Sequence, residues 1–370
     1  MRILFWSGTF WPRIGGVENL AAKLLPALRE RGYEFIVVTW DNTKVPDEIR
    51  FQNIPIYRFP FFAGGDQGSL DPLMKILHQV AKLKREFRPD LVHVNSFSRS
   101  ALFHLATVNA HPAPMLITLH QALRDEPVGP ETILGRLLRA ASWVTACSAS
   151  VVVQMRELVP AIVPRSSLIY NGVQAPVFEP QPMSFNPPRL LCLGRLAAEK
   201  GFDLALTAFA TVLERYPRAR LVIAGDGAER DSLKRQTIEL GLVSSVEFVG
   251  GVEPEAVAHL IDRSTLVLIP SRLEAFGLVA LEAALMARPV VATRVGGLRE
   301  VVVHQETGLL TECENSRALA HAIESLLEQP EKASRMGRMA RKRARKEFDW
   351  ERHVDSYDAL YRKLIMCKCS

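Results

Sequence analysis

Glu274 and Glu282 flank a short segment, Ser271-Arg-Leu-Glu274-Ala-Phe276-Gly277-Leu278-Val-Ala-Leu281-Glu282-Ala-Ala-Leu285, whose residue types could bind and activate a phosphorylated sugar. Leu278, Leu281 and Leu285 recur at helical spacing, so a helix is predicted from near Phe276, with the amides around Gly277 and Leu278 at its positive end. A phosphate binds well at such an end. Glu282 lies just over a turn past Leu278 among apolar neighbours, where a carboxylate is costly to bury unless it accepts hydrogen bonds, for instance from ribose hydroxyls. Glu274, in the loop before the helix, then faces the sugar. Taken singly, each glutamate reads more simply as a capping or exposed charge.

A second stretch changes that balance. Gly194-Arg195-Leu-Ala-Ala-Glu199-Lys200-Gly201 follows a strand pattern and leads into a helical one. Its glycines let the backbone approach a ligand closely, and Arg195 and Lys200 can neutralise a diphosphate leaving group as its bond to the sugar breaks. Alone, the loop fits an ordinary helix start with surface charges equally well. Together with the glutamates, it makes a donor site the better reading. The chain contains no Asp-x-Asp motif, the simplest carboxylate arrangement for a bridging divalent ion. Metal-independent chemistry is therefore expected, with the cations and the helix terminus taking the charge in a cleft that excludes water.

The elements that must carry these loops repeat one grammar. Up to about Tyr170, apolar or β-branched runs (Ile3 to Trp6, Phe35 to Thr39, Leu91 to Val94, Met115 to Leu119, Trp143 to Cys147, Ser167 to Ile169) alternate with helical patterns. That alternation predicts a parallel sheet with helices on both faces. Pro176, Pro180, Pro182, Pro187 and Pro188 then crowd a segment able to hold neither a helix nor a central strand, read as an interdomain linker. The pattern restarts with Leu190 to Leu193, Leu221 to Ala224, Val246 to Val249, Leu266 to Ile269 and Val290 to Ala292. The expected fold is α/β, with two Rossmann-like domains whose parallel sheets face a central cleft: residues 1–175, a linker at 176–188, residues 189–347, and a last helix within 348–370. Ligands of open α/β sheets bind beyond the carboxyl ends of the strands, where both candidate loops fall.

Composition narrows the setting. The chain has 370 residues, 48% of them hydrophobic, enough for two packed cores. It lacks an apolar run of about 18 residues and a signal-like N-terminus, so residence in the cytoplasm is expected. Cys147, Cys192, Cys313, Cys367 and Cys369 have neither disulfide nor zinc spacing and read as reduced thiols. A net charge of +6 suits an enzyme that handles phosphates, and equally a weak attraction to nucleic acid or an anionic membrane. The basic run Arg338 to Lys346 fits a lipid-headgroup contact or, more commonly, a solvated helix face.

Further motifs appear in a fixed order: Gly15-Gly16-Val17-Glu18, Thr118-Leu-His120, Ala146-Cys-Ser148, Ile169-Tyr-Asn171-Gly172-Val173, Gly194-Arg195-Leu with Glu199-Lys200-Gly201, Ala224-Gly225-Asp226-Gly227, Phe248-Val-Gly250, Pro270-Ser271, Glu274 through Glu282, Pro289-Val-Val-Ala-Thr293, Gly296-Gly297 with Glu300, and Gly308-Leu. With these the sequence resembles glycosyltransferase family 4, retaining nucleotide-sugar transferases of the GT-B fold, over nearly its whole length. The resemblance implies that Arg195 and Lys200 hold the donor diphosphate behind Gly194. It assigns ribose to Glu282 and the nucleotide base to the loop around Gly251 and Val252. It also implies that Glu274 and the amides of Phe276, Gly277 and Leu278 contact the transferred sugar and its distal phosphate. Gly16 is expected to approach the phosphates from the first domain, and His120, just past a strand's carboxyl end, to touch the donor sugar rather than serve only as a hydrogen-bonded strand-end histidine.

The resemblance further implies that the nucleotide sugar is a co-substrate with no other cofactor and no metal, and that the first domain takes a sugar, lipid-linked sugar or small-molecule acceptor. Nucleic acid is not expected as a partner; a peripheral contact at the cytoplasmic membrane face is compatible. Gln121 departs from the Asp or Gly common in relatives, which leaves acceptor or sugar contacts there open. The loops Phe59 to Gly65 and Gln121 to Pro130 do not identify the acceptor. Phe61 and Phe62 read as packing under a loop more readily than as a membrane contact. Aromatic residues from Phe348 through Tyr361 predict a packing helix, expected to dock near residues 1 to 20 as part of the hinge. Retention follows from the resemblance alone, and a same-face route, in which the departing phosphate deprotonates the acceptor, needs no nucleophilic carboxylate.

Three other readings compete with this one. A nucleotide-sugar epimerase or glycan phosphorylase shares the architecture, although no lysine motif for pyridoxal phosphate is evident. An NAD-dependent oxidoreductase is suggested by Asp41 but needs Gly-x-Gly-x-x-Gly after the first strand, where Gly8 to Gly16 has no such spacing. A catalytically silent sugar-nucleotide binder is expected to have lost Arg195, Lys200, Glu274 or Glu282, and all four are present.

Overall fold

The computed structural model describes residues 1–13, 15–40, 49–61, 71–123 and 131–366. The chain divides into two compact units, Met1–Tyr170 with Glu351–Ser370, and Asn171–Trp350. The predicted roles of Asp41, Phe62 and most of the loops 59–65 and 121–130 fall outside the described residues, as do Cys367 and Cys369.

The first unit is an eight-stranded sheet: β1 (Arg2–Ser7), β2 (Glu34–Trp40), β3 (Ile49–Phe51), β4 (Ile54–Phe59), β5 (Leu91–Asn95), β6 (Met115–Leu119), β7 (Trp143–Ala146) and β8 (Ser166–Leu168), in the order β3-β4-β2-β1-β5-β6-β7-β8. Its central strands are runs such as Leu-Val-His-Val-Asn and Met-Leu-Ile-Thr-Leu, buried at every position, as expected where helices cover both faces of a parallel sheet. Parallel pairing holds everywhere but one edge. There β3 runs antiparallel to β4, joined by Gln52 and Asn53 at positive φ, so a short edge hairpin is added to the expected parallel sheet. Ser7 lies opposite both Thr39 and Asn95, and Asn95 opposite Thr118, so the strands deliver their following loops to one edge.

The helix Trp350–Met366 packs into this first unit through Val354, Tyr357 and Tyr361, all buried. Its side-chain pairings reach beyond the expected residues 1 to 20. Arg31 pairs with Asp355 at 2.6 Å, the Tyr361 hydroxyl meets His93 Nδ1 at 2.6 Å, and the Tyr357 hydroxyl lies 3.2 Å from Thr118 Oγ1. His93 Nε2 completes the cluster with Thr118, which in turn bonds Thr145. Burial pushes the His93 pKa down to about 3, with a further push from His120. His353 donates from Nδ1 to the Tyr170 carbonyl and is pushed by burial down to about 4. These histidines are packed as neutral rings.

The second unit contains a six-stranded parallel sheet: β9 (Arg189–Leu193), β10 (Arg220–Ala224), β11 (Val246–Gly250), β12 (Leu266–Ile269), β13 (Val290–Thr293) and β14 (Gly308–Thr311), ordered β11-β10-β9-β12-β13-β14. A core of Leu190, Cys192, Leu206, Phe209, Leu221, Ile223, Leu268, Val291, Leu319 and Ile323 locks this sheet to its covering helices. The proline-rich segment 176–188 is part of this unit and is fastened to it. Arg288, 1% exposed, donates to the carbonyls of Gln181, Ser264, Met286 and Asp262 and pairs with the Asp262 carboxylate, which also accepts from the Gln181 amide. Phe178 stacks on His259 at 4.3 Å, and Glu179 pairs with Arg341 at 2.5 Å.

The helix Pro330–Glu347 buries Ala333, Met336, Gly337, Ala340 and Ala344. Its other side exposes Arg335, Arg338, Met339, Lys342 and Lys346, and no acidic residue lies between Glu331 and Glu347. Among the described residues, no helix is long and apolar enough to cross a membrane. Phe61 is 2% exposed and lies among Trp6, Phe59 and Phe103, which is packing.

Candidate active site

In the second unit the carboxyl ends of β9 and β12 bring the two candidate loops into contact. After β9, Gly194 at φ +146° turns the chain into Arg195, and a 3₁₀ turn, Ala198–Lys200, ends at Gly201 with φ +65°. A Cβ on Gly201 would collide with the Pro270 carbonyl at the end of β12, so only glycine permits this approach. Across that contact Lys200 Nζ lies 2.7 Å from Glu274 Oε2, with side chains 25% and 16% exposed. Two candidates separated by 74 positions in sequence thus form one ion pair. Arg195 does not join it: its side chain is 71% exposed and its guanidinium pairs with Glu199 at 2.6 Å.

The helix Leu278–Leu285 begins where the leucine spacing requires. Its N-cap is Gly277 at φ +106°, a conformation that a side chain would strain, and the preceding Phe276 is 2% exposed and packed edge-on against Phe348. The Gly297 amide donates to the Glu274 carbonyl at 3.1 Å, so the loop after β13 braces the glutamate. The N-cap Gly277 therefore stands three residues beyond a paired, largely buried carboxylate. Glu282 is half-buried between Leu281 and Ala283, both in the core. Beyond β11, Gly251 is exposed, with open space where a side chain would stand, and Val252 is half-buried.

In the first unit Gly16 is exposed at the start of the helix Gly16–Glu30, whose first turn carries Glu18, hydrogen-bonded by Thr9. His120 follows β6, and its Nε2 lies 3.0 Å from Asn95 Oδ1, an acceptor, which fixes the proton on Nε2. Its Nδ1 is buried without a partner among the described residues, and burial pushes its pKa down to about 3, helped by His353. Gln121 accepts from Ser96 at 3.1 Å. Ser148 caps the helix Ala149–Leu158 through the Val151 amide, a local structural role for its motif.

The glycosyl transferases group 1 profile matches residues 178–343, and that of glycosyltransferase family 4 matches residues 14–177. A glycogen synthase of Mycobacterium tuberculosis is 31% identical over 384 aligned positions that cover 95% of this chain and 92% of the relative. The chain is a family 4 glycosyltransferase. Other relatives of this glycosyltransferase include N-acetyl-alpha-D-glucosaminyl L-malate synthase of Bacillus anthracis, 26% identical over 95% of each chain. Among solved structures, a sucrose-phosphate synthase of Thermosynechococcus elongatus superposes with a TM-score of 0.86 at 25% identity over 99% of both chains. The Anabaena protein HepE, solved with UDP and glucose, reaches 0.82 at 24% identity over 98% of this chain and all of its own. The fold is therefore GT-B and the chain a hexosyltransferase.

The glycosyltransferase's sequence motifs picked out Lys200, Glu274, Phe276, Gly277, Leu278 and Glu282, and the structure joins them in one neighbourhood. They did not pick out Arg272, Asp203 or Glu314, which meet beside that neighbourhood. Arg272 sits inside the motif, between Ser271 and Glu274, but its partners lie 69 and 42 positions away. Asn95 was also missed, although its place at the end of a strand next to that of His120 was a usable signal.

Proposed function

We propose that this glycosyltransferase moves a hexosyl group from a nucleoside diphosphate sugar to an acceptor hydroxyl with retention, without a metal ion, in glycan, glycolipid or cell-envelope polysaccharide synthesis. The observation that carries this reading is the Lys200–Glu274 pair, set three residues before Gly277, the N-cap of the helix that bears Glu282. The helix amides and Lys200 present positive charge to a diphosphate, Glu274 presents an acceptor to sugar hydroxyls, and Glu282 presents one to ribose. Arg195, held by Glu199 on an exposed side chain, has the freedom to swing onto the phosphates. Gly194 lines that turn, and Gly251 and Val252 border the base. Gly16 in the first unit leaves a phosphate room to approach, and His120, a neutral ring, contacts the transferred sugar.

In the transfer the bond from the anomeric carbon to the diphosphate oxygen breaks and a bond to the acceptor oxygen forms on the same face. The acceptor proton passes to the departing phosphate oxygen, so no side chain need act as nucleophile. Lys200 and the helix terminus stabilise the charge that develops on the leaving diphosphate, and charge development is where such groups lower a barrier most. We also assign to the exposed cations of the helix Pro330–Glu347 a contact with anionic lipid headgroups at the cytoplasmic membrane face.

The test is a panel of UDP-, GDP- and ADP-sugars scored by thermal shift and nucleotide release, with and without magnesium. One donor should raise the melting temperature without metal, and Glu282→Ala should abolish the rise. No shift at low millimolar concentration, or a strict need for magnesium, would sink the proposal.

A further inference from the structure

All five N–H donors of Arg272 are engaged. Nε meets Glu314 Oε1 at 2.5 Å; Nη1 meets the Ala198 carbonyl and Asp203 Oδ1, both at 2.8 Å; Nη2 meets Asp203 Oδ2 at 2.7 Å and Glu314 Oε2 at 3.2 Å. Its backbone is engaged as well, because the amides of Arg272 and Leu273 both donate to the Glu199 carbonyl, at 2.8 and 3.3 Å. The acceptors come from three separate places: the 3₁₀ turn Ala198–Lys200, the first turn of the helix Phe202–Arg215, and the segment leading to the helix Ser316–Leu327.

The geometry matters for its neighbours. Lys200 lies one residue past Glu199 and two past Ala198, while Glu274 lies two past Arg272. Arg272 therefore joins the two stretches of backbone from which the Lys200–Glu274 pair projects. Its own charge is offset by two carboxylates, and the guanidinium holds the Asp203 carboxyl below its ordinary range. A guanidinium with every donor taken and its charge balanced is poorly suited to bind a phosphate and well suited to hold backbone in place.

We infer that Arg272 is a positioning residue for glycosyl transfer: it acts through Lys200, fixing the ammonium where the leaving diphosphate develops charge, and does not itself touch the donor. The inference rests on the donor-site reading above. A lysine cannot replace it, because a single ammonium cannot span a carbonyl and two carboxylates in one plane.

The experiment compares full-length wild type, Arg272→Lys, Lys200→Ala and the double variant, assayed with the nucleotide sugar that the wild type turns over. A displacement of about 1 Å costs on the order of 100-fold in rate. Arg272→Lys should lower kcat by tenfold or more with donor KM changed less than threefold, and adding Lys200→Ala to it should cost less than threefold further. Glu314→Gln, which keeps the Asp203 fork, should shift kcat in the same direction by a smaller factor, and it carries the test if Arg272→Lys fails to fold. A lowered melting temperature with kcat unchanged would make Arg272 a staple only, and a double variant whose losses multiply would show that it acts independently of Lys200; either overturns the inference while leaving the donor reading intact. A wild type that binds no nucleoside diphosphate sugar would overturn both.

Discussion

Replacing Lys200 by Met keeps most of the side chain's apolar stem and deletes its charge, and two consequences can be sized. In the free protein Glu274, 16% exposed, loses the ammonium 2.7 Å away. Hydrogen bonds to charged groups contribute about 1.5–3 kcal/mol, and residual exposure places this one near the lower end. For a folding unit of this size each kcal/mol corresponds to roughly 2–4 °C, so the melting temperature should fall by about 3–6 °C. In the reaction, an ammonium about 4 Å from a phosphate charge is worth roughly 4 kcal/mol at an effective dielectric of 20. Part of that is offset by weakening the contact with Glu274, which leaves a net of about 2 kcal/mol, or roughly 30-fold in kcat/KM. Steady-state kinetics with a coupled assay for released nucleoside diphosphate, beside differential scanning fluorimetry, read both quantities. In a Glu274→Gln background the Lys200→Met change should cost little further stability, because the charge it would strand is already gone. If Lys200→Met lowers the melting temperature as expected but kcat/KM falls less than threefold, Lys200 is only a counter-ion for Glu274 and the leaving-group role is wrong.

Arg288→Met should strip the proline-rich segment of its anchor, leaving several carbonyls and the Asp262 carboxylate without their partner. Breaking a buried pair costs about 3–5 kcal/mol, so a urea midpoint unchanged from wild type would refute the fastening role. The first unit should lose stability on acidification. His93, His120 and His353 have folded pKa values near 3, 3 and 4 against 6.5 for the free side chain, so their contribution is complete above about pH 6.5 and drains away as pH falls toward 3–4. Each can take up to about 1.4 kcal/mol per pH unit in that window; equal urea midpoints at pH 7 and pH 5 would exclude their burial as neutral rings. Charge reversal of Arg335, Arg338, Lys342 and Lys346 to Glu should abolish co-sedimentation with vesicles rich in anionic lipid, each cation being worth about 1 kcal/mol at such a surface, while neutral vesicles should not bind wild type. Equal binding by wild type and variant would remove the headgroup contact.

The strands that hold the site were legible because buried parallel strands are continuous apolar runs: Leu266–Ile269 and Met115–Leu119 match their predicted limits. The pair β3 and β4 was not, since an edge hairpin with Pro55 and alternating exposure lacks such a run, and four-residue β14 opens with a glycine. The proline-rich segment misled for a physical reason. Proline reports only what its own backbone cannot do, whereas the segment's attachment comes from Arg288, Asp262 and Thr265, 81 to 107 positions away. The site shows the same limit. Residue types nominated Lys200 and Glu274 separately, but their pairing and the Arg272 clasp beneath it depend on which loops the sheet order brings together.

The helix that closes the first unit is made only after the whole of the second unit. On a ribosome adding about 5–20 residues per second, the sheet carrying His93 and Thr118 waits roughly 10 to 35 seconds while residues 171–350 are synthesised before Tyr357 and Tyr361 exist to cover it. The unit that begins first therefore finishes last, and the intervening one is complete before it. At that unit's two ends, Val173 donates to the Phe348 carbonyl at 3.3 Å and pairs with Asp349, so its entry and exit lie side by side, as in a domain inserted into a host. A nascent chain stopped short of Tyr357 can hold a finished second unit on an unfinished host, with His93 and Thr118 of the first sheet left without their tyrosine partners.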